Sequence, residues 1–410
     1  VSLFDTAALL VTLAAAFSYV NHRLIRLPTT IGLMVVSLSL SLGLLALGKL
    51  GWAQFPQQAS AVVSSIDFDR TLMHGMLSFL LFAGALHLDL EDLRQQGAAV
   101  AFFASLGVLL STLLVGLASY WLFPLLGHPV PLLHCLLFGA LISPTDPVAV
   151  LGMLKSAGAS RALEAKLAGE SLFNDGVAVV VFTVLLELAT GGSRATAGGV
   201  ATLFLREAVG GAVFGLVVGW VAYLLLRSLD VYQVEVLITL ALVMGGYALA
   251  SALHLSGPIA IVVAGLLIGN RGRALAMSDT TREHLDSFWE LIDESLNAVL
   301  FVLMGLEILA LSFETGYLWS AACSIVVVLS ARAIVVSLPG LVPGLRRLFA
   351  PLPVAVLTWA GLRGGISVAM ALSLPVDSYR APLITVTYVV VVFSVLVQGL
   401  TLPHLLRHRV

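Results

Sequence analysis

Two short strings hold most of the residues able to bind a cation or carry a proton. Gly169-Glu170-Ser171-Leu172-Phe173-Asn174-Asp175-Gly176 lies inside an otherwise apolar stretch. On a helix it sets Ser171 and Asp175 one turn apart on one face, and Glu170 and Asn174 on a neighbouring one. Ser143-Pro144-Thr145-Asp146-Pro147 interrupts a second apolar stretch. Its two prolines remove backbone donors and disfavour continuous helix, so an unwound segment with free carbonyls is expected around Thr145 and Asp146. Asp146 stands before Pro147, where it suits the cap of a following half-helix and also a place in an ion shell. Hard monovalent cations take oxygen ligands. Asp175, Asp146, Ser171 and Thr145 with the freed carbonyls form that donor set, for a monovalent cation such as Na+, K+ or Li+. Burial disfavours the charged form of a carboxylate, so an aspartate in such a place holds a proton or a cation in turn.

Further ionisable residues lie deep in apolar stretches, where each needs a partner or a purpose. Arg332 has no acidic neighbour in its own stretch, and Glu170 is its expected partner in a buried, supporting ion pair. Arg363, within Gly361-Leu362-Arg363-Gly364-Gly365, is placed to face the negative end of a half-helix or to act as a structural neutraliser. Glu187, Glu235, Asp293, Glu294 and Glu307 fall toward the ends of stretches, and snorkelling or interfacial placement is expected of them. His74 and His87 flank one stretch and read as surface residues. Cys135 and Cys323 both sit in apolar surroundings and read as packing residues.

The elements positioning these groups follow from composition. Of 410 residues 59% are hydrophobic and 11% charged, more apolar surface than one soluble core buries. A net charge of -2 offers no basic field for nucleic acid. No cofactor is expected, and lipid is part of the solvent. Thirteen stretches approach the roughly 20 apolar residues of a spanning helix: 3–20, 28–48, 72–88, 98–123, 132–153, 166–189, 203–226, 234–253, 256–270, 295–312, 315–338, 352–374 and 382–402. The first, with Asp5 and no basic leader, reads as a spanning helix and not a cleavable signal.

Basic residues orient these spans. Arg23, Arg26, Arg94, Lys155, Arg161, Lys166, Arg227, Arg271, Arg273, Arg282, Arg346, Arg347, Arg407 and Arg409 fall on one side, taken as cytoplasmic. Only Lys49, Arg70, Arg194, Arg206 and Arg380 fall on the other. The N-terminus is then outside and the C-terminus in the cytoplasm. The expected fold is all-α and polytopic: two inverted six-helix repeats around one connecting helix, with spans five and twelve broken at equivalent places. Paired broken helices are the sequence pointer to a transport site.

These strings together, with Ser256-Gly257-Pro258 through Gly269-Asn270 and Ser330-Ala331-Arg332, resemble the NhaP/NHE branch of monovalent cation/proton antiporters along nearly the whole chain. The resemblance implies a homodimer in the inner membrane and alternating access by an elevator-like movement. It implies an ion-transport core from 98–190 and 315–402, and a dimerisation scaffold from 1–97 and 203–313. It assigns Asp175 as the aspartate of the family's Asn-Asp pair, Ser171, Thr145 and Asp146 as further ion-site residues, and Glu170 with Arg332 as a buried ion pair. Asn174 beside Asp175 resembles the electroneutral branch. One departure stands out: some relatives carry a glutamate in a Phe-Glu-Gly string, and this chain has Phe82-Ala83-Gly84. No enzyme class competes well. An intramembrane aspartyl protease would carry different strings around Asp146 and Asp175, an organic-anion carrier would favour basic or amide-rich binding elements, and no channel filter is evident.

Overall fold

In a computed structural model of the chain, residues 3–156, 161–191, 197–311, 316–341 and 354–409 are described, and no strand occurs among them. The predicted basic residues Arg194, Arg346 and Arg347 lie outside the described residues, as do the side chains of His74, Lys155, Arg407 and Arg409.

The helices run in the order α1 (Leu3–Val20), α2 (Thr29–Lys49), α3 (Gln54–Ser64), α4 (Leu77–Leu86), α5 (Leu90–Gln95), α6 (Gly97–Leu125), α7 (Leu132–Leu141), α8 (Val148–Ser156) and α9 (Arg161–Ala189). They continue as α10 (Ala197–Arg227), α11 (Tyr232–Ala252), α12 (Gly257–Leu267), α13 (Asp279–Leu306), α14 (Tyr317–Leu341), α15 (Val354–Trp359), α16 (Gly365–Leu372), α17 (Arg380–Phe393) and α18 (Gly399–Arg409). Among the described residues, 8 helical segments are long and apolar enough to cross a membrane: α1, α2, α6, α9, α10, α11, α14, and α17 running on into α18. α7 and α12 are apolar but shorter. An all-helical build is what a bilayer demands, because each backbone polar group must find its partner within the chain.

Hydroxyls inside the helices follow the same rule. Ser37, Ser324 and Thr387 return their hydrogens to carbonyls four residues back, on Leu33, Ser320 and Leu383. Ser41 also reaches across to the Gly305 carbonyl at 3.0 Å, tying α2 to α13. Small residues bring other pairs together. Gly211, Gly215 and Gly219 on α10 face Ser256, the cap of α12, and Ala260 and Ala264 on that helix so closely that a Cβ on any of them would meet the opposite backbone. α6 and α7 pack the same way, Gly139 resting on the backbone of Thr112.

The stretches at 132–153 and 352–374 are each interrupted. α7 stops at Leu141 and α8 begins at Val148; α15 stops at Trp359 and α16 begins at Gly365. The interruptions meet, the Asp146 N–H donating to the Leu362 carbonyl at 2.7 Å. The short helix α5 is capped by Asp89, whose carboxylate accepts from the N–H groups of Glu91 and Asp92.

Candidate cation site at the paired helix breaks

The extended segment between α7 and α8 is held by side chains of α9. Asn174 makes two bonds to Thr145: it accepts from the Thr145 N–H at 3.3 Å and donates to Thr145 Oγ1 at 2.8 Å. The Ser171 hydroxyl donates to the Thr145 carbonyl. Ser171 and Asn174, three residues apart, thus bracket one threonine. This differs from the expected grouping of Asn174 with Glu170, since i and i+3 lie as near on a helix surface as i and i+4.

Asp146 caps α8 through the Val148 N–H at 2.9 Å. Its carboxyl group lies against Gly364, where a Cβ would collide with it, so glycine at 364 is what admits the side chain. Asp175 is 6% exposed, and its Oδ1 has no hydrogen-bond partner. Asp146 lies close enough for the two carboxylates to act on each other's charge. The breaks therefore gather the buried carboxylate of Asp175, the half-buried carboxylate of Asp146, the Ser171 hydroxyl, and the hydroxyl and carbonyl of Thr145, an all-oxygen set suited to a hard cation. No group of three or more His, Cys, Asp or Glu disposed to hold a metal ion occurs among the described residues, so this set relies on hydroxyl and carbonyl oxygen.

The cationic residues surround this set from behind. Arg332 Nη1 sits 2.5 Å from Glu170 Oε1, with both side chains buried. The contact is one of charge, neither Glu170 oxygen having an aligned hydrogen bond. Arg363 donates from Nη1 to the carbonyls of Ser143 at 2.5 Å and Pro144 at 2.9 Å. It thus faces the broken end of α7, not a half-helix of its own interrupted stretch. Its own N–H donates to Ser394 Oγ at 2.9 Å, Ser394 donates to Gln398 Oε1 at 2.7 Å, and Gln398 donates to the Trp359 carbonyl at 3.2 Å. This chain clamps the second break to the turn between α17 and α18.

Several placements were not foreseen. Lys166, expected in a cytoplasmic segment, is 1% exposed. It lies over the Phe103 ring at 5.3 Å from the centroid, with the charge of Glu170 one turn along α9. The i, i+4 spacing of Lys166 and Glu170 was the available signal. Glu235 and Glu307 are buried and do not snorkel; Glu235 lies beside Asp230 and Thr281, and Glu307 within reach of the charge of Arg380. Ala83 is buried with Phe82 and Leu86 among α10 to α13, and the neighbouring Gly84 faces Leu172. α4 therefore meets α9 with apolar atoms beside Ser171.

The sequence pattern of the transmembrane sodium/hydrogen exchangers matches residues 9–408. The chain belongs to the sodium/hydrogen exchanger family. Within that family it is 49% identical to the Na(+)/H(+) antiporter NhaP of Pseudomonas aeruginosa, over 99% of this chain and 96% of that protein. It is 36% identical to the Na(+)/H(+) antiporter NhaH of Halobacillus aidingensis, over 94% and 93%. Among solved structures, the sodium proton antiporter MjNhaP1 of Methanocaldococcus jannaschii shares the exchanger's fold, with a TM-score of 0.73 over 98% of this chain and 96% of that one at 18% identity.

Proposed function

We propose that this exchanger carries Na+ one way and H+ the other, and that Asp175 is the group for which they compete. The observation that carries the reading is the unpartnered, buried Oδ1 of Asp175 beside Asp146 and the Thr145 segment. A carboxylate without an internal donor is free to take a proton or a cation, and one excludes the other. Ser171, Asp146 and Thr145 complete the cation shell. Asn174 makes its bonds to Thr145 and positions the unwound segment; no second ionisable group stands in the pair, in keeping with one cation exchanged per proton. Glu170 and Arg332 brace α9 behind the site, and Arg363 compensates the broken end of α7.

The Na+ preference rests on the likeness to the Na(+)/H(+) antiporters NhaP and NhaH, and K+ is the second reading. The same proposal takes the chain as thirteen spans in two inverted six-helix repeats, with the N-terminus outside and the C-terminus cytoplasmic, in an inner-membrane homodimer. Residues 98–190 and 315–402 would then carry the ion in an elevator-like movement against a scaffold of 1–97 and 203–313. The meeting of the two interruptions through Asp146 and Leu362 favours this division, because both breaks then travel together.

The test is transport by the purified chain in proteoliposomes with an inside-acid gradient, scanned over Na+, Li+ and K+. Na+ should discharge the gradient at lower concentration than K+ without generating a membrane potential. Discharge by K+ alone would replace the ion, and discharge by none of the three would overturn the function.

A further inference from the structure

Behind the crossing of the two breaks lies a cavity of ≈ 10 Å³. Arg332, Arg363, Thr358 and Gly361 contribute to its lining, with Val328 and Phe393 in its apolar wall. Three polar atoms of these residues are buried without a partner: Nε of Arg332, Nε of Arg363 and Oγ1 of Thr358. Arg332 and Arg363 are 5% and 3% exposed. Each guanidinium has one terminal nitrogen engaged, on Glu170 and on the Ser143 and Pro144 carbonyls respectively, while Nε is left over. Gly361 adds nothing to fill the space: a Cβ there would stand 2.9 Å from Arg332 Nε.

Leaving a buried donor unsatisfied costs about 1–3 kcal/mol, more when it is charged. Two such donors on residues that line one cavity, with the unpartnered hydroxyl of Thr358 on a third, call for an acceptor. The charges point the same way. Arg332 and Arg363 are near enough to repel. Arg363 forms no ion pair among the described residues, and the one carboxylate paired with Arg332, Glu170, also faces Lys166. Size favours a small occupant, because ≈ 10 Å³ is about the space of a single water-sized particle and less than a polyatomic oxyanion fills.

We propose that this cavity is an anion site for one halide ion, chloride in the cell, held by the Nε–H groups of Arg332 and Arg363 and by the Thr358 hydroxyl. The anion neutralises the two arginines that flank the crossing and locks α14 to the second break. It touches neither Asp175 nor the transported cation, so it belongs to the architecture of the site and not to the exchange. A single water is the rival occupant. It accepts both Nε–H bonds but carries no charge, and the experiment separates the two.

The purified full-length chain is melted in detergent at fixed sodium concentration and ionic strength while gluconate is replaced by chloride, bromide or sulfate. Chloride and bromide should raise the melting temperature along a saturating curve, and sulfate should not. Thr358→Val removes one donor and should move half-saturation by chloride upward about tenfold, while Thr358→Ser keeps the wild-type response. Crystals grown in bromide should give an anomalous peak between the two arginines. A melting temperature indifferent to halide in wild type and Thr358→Ser alike overturns the proposal, as does density in the cavity with no bromide signal.

Discussion

The backbone N–H of Asp146 donates to the carbonyl of Leu362 at 2.7 Å, so the two interrupted helices are joined at the point where both lack helical partners. Each break satisfies the other. Asp146 has its N–H on one interrupted helix and its carboxylate at the start of α8, which fixes the side chain without using its second oxygen. The consequences can be tested one residue at a time.

Asp175→Asn should abolish cation-driven discharge of a proton gradient and leave the protein folded. Its Oδ1 has no partner to lose, so the stability change is expected within about 1 kcal/mol. Proteoliposome transport and detergent melting read the two quantities separately. Wild-type transport by the variant would remove Asp175 from the mechanism.

Glu170→Gln strips the partner from Arg332 and the neighbouring charge from Lys166. An uncompensated buried charge costs about 3 kcal/mol or more. Expression and melting temperature should fall well before the apparent affinity for Na+ changes. A variant of normal stability with weakened Na+ affinity would make Glu170 a ligand.

Gly364→Ala tests the seat of Asp146. A methyl group there collides with the carboxylate and must push it aside. A displacement of this kind reduces turnover by about a hundredfold, with the helices intact by circular dichroism. Unaltered exchange would show that Asp146 serves only as the cap of α8.

Asn174→Ala removes two hydrogen bonds to Thr145 and should cost about 1–2 kcal/mol while raising the Na+ concentration for half-maximal exchange. Asn174→Gln, which keeps the amide but displaces it, separates loss of the bonds from loss of volume. Equal affinity for Na+ in both variants would detach the Thr145 segment from cation binding.

The loop after α16 carries a pH-sensitive contact. Burial pushes the Asp377 carboxyl up, but the His134 ring 2.9 Å away and the N–H groups of Tyr379 and Arg380 outweigh it and hold the group below the ordinary carboxylate value of 3.8. A lowered value in the folded state means that the contact stabilises above the unfolded value and is lost as pH falls through the folded one. The melting temperature of wild type should therefore exceed that of Asp377→Asn at pH 6, and the gap should close below about pH 4. A gap that persists in strong acid would contradict the assignment.

The placement of Asp175, Ser171 and the Thr145 segment was legible in the sequence because helical spacing and proline chemistry are local. The Glu170–Arg332 pairing was legible by elimination, since a buried charge without a neighbour must borrow one. Lys166 was legible only in its i, i+4 spacing to Glu170: its place at the edge of a span reads as solvent-exposed, and the Phe103 ring beneath it comes from a distant helix. The Ser394–Gln398 clamp was equally hidden, because two ordinary polar residues acquire their role from a backbone break thirty residues away. The burial of Glu235 and Glu307 depends on which helices lie across from them, a matter that periodicity does not address.

Where some relatives carry a carboxylate on α4, Ala83 is buried toward α10 to α13, and α4 meets α9 through Gly84 against Leu172. The ligands proposed for the cation, Asp175, Ser171, Thr145 and Asp146, come from α9 and the segment before α8, while Asp293 of α13 stands near enough to Asp146 for their charges to interact. In the proposed cycle those ligands travel with the cation, and α4 gives way to α9 through greasy side chains sliding past one another and not through a bond that must be broken and remade.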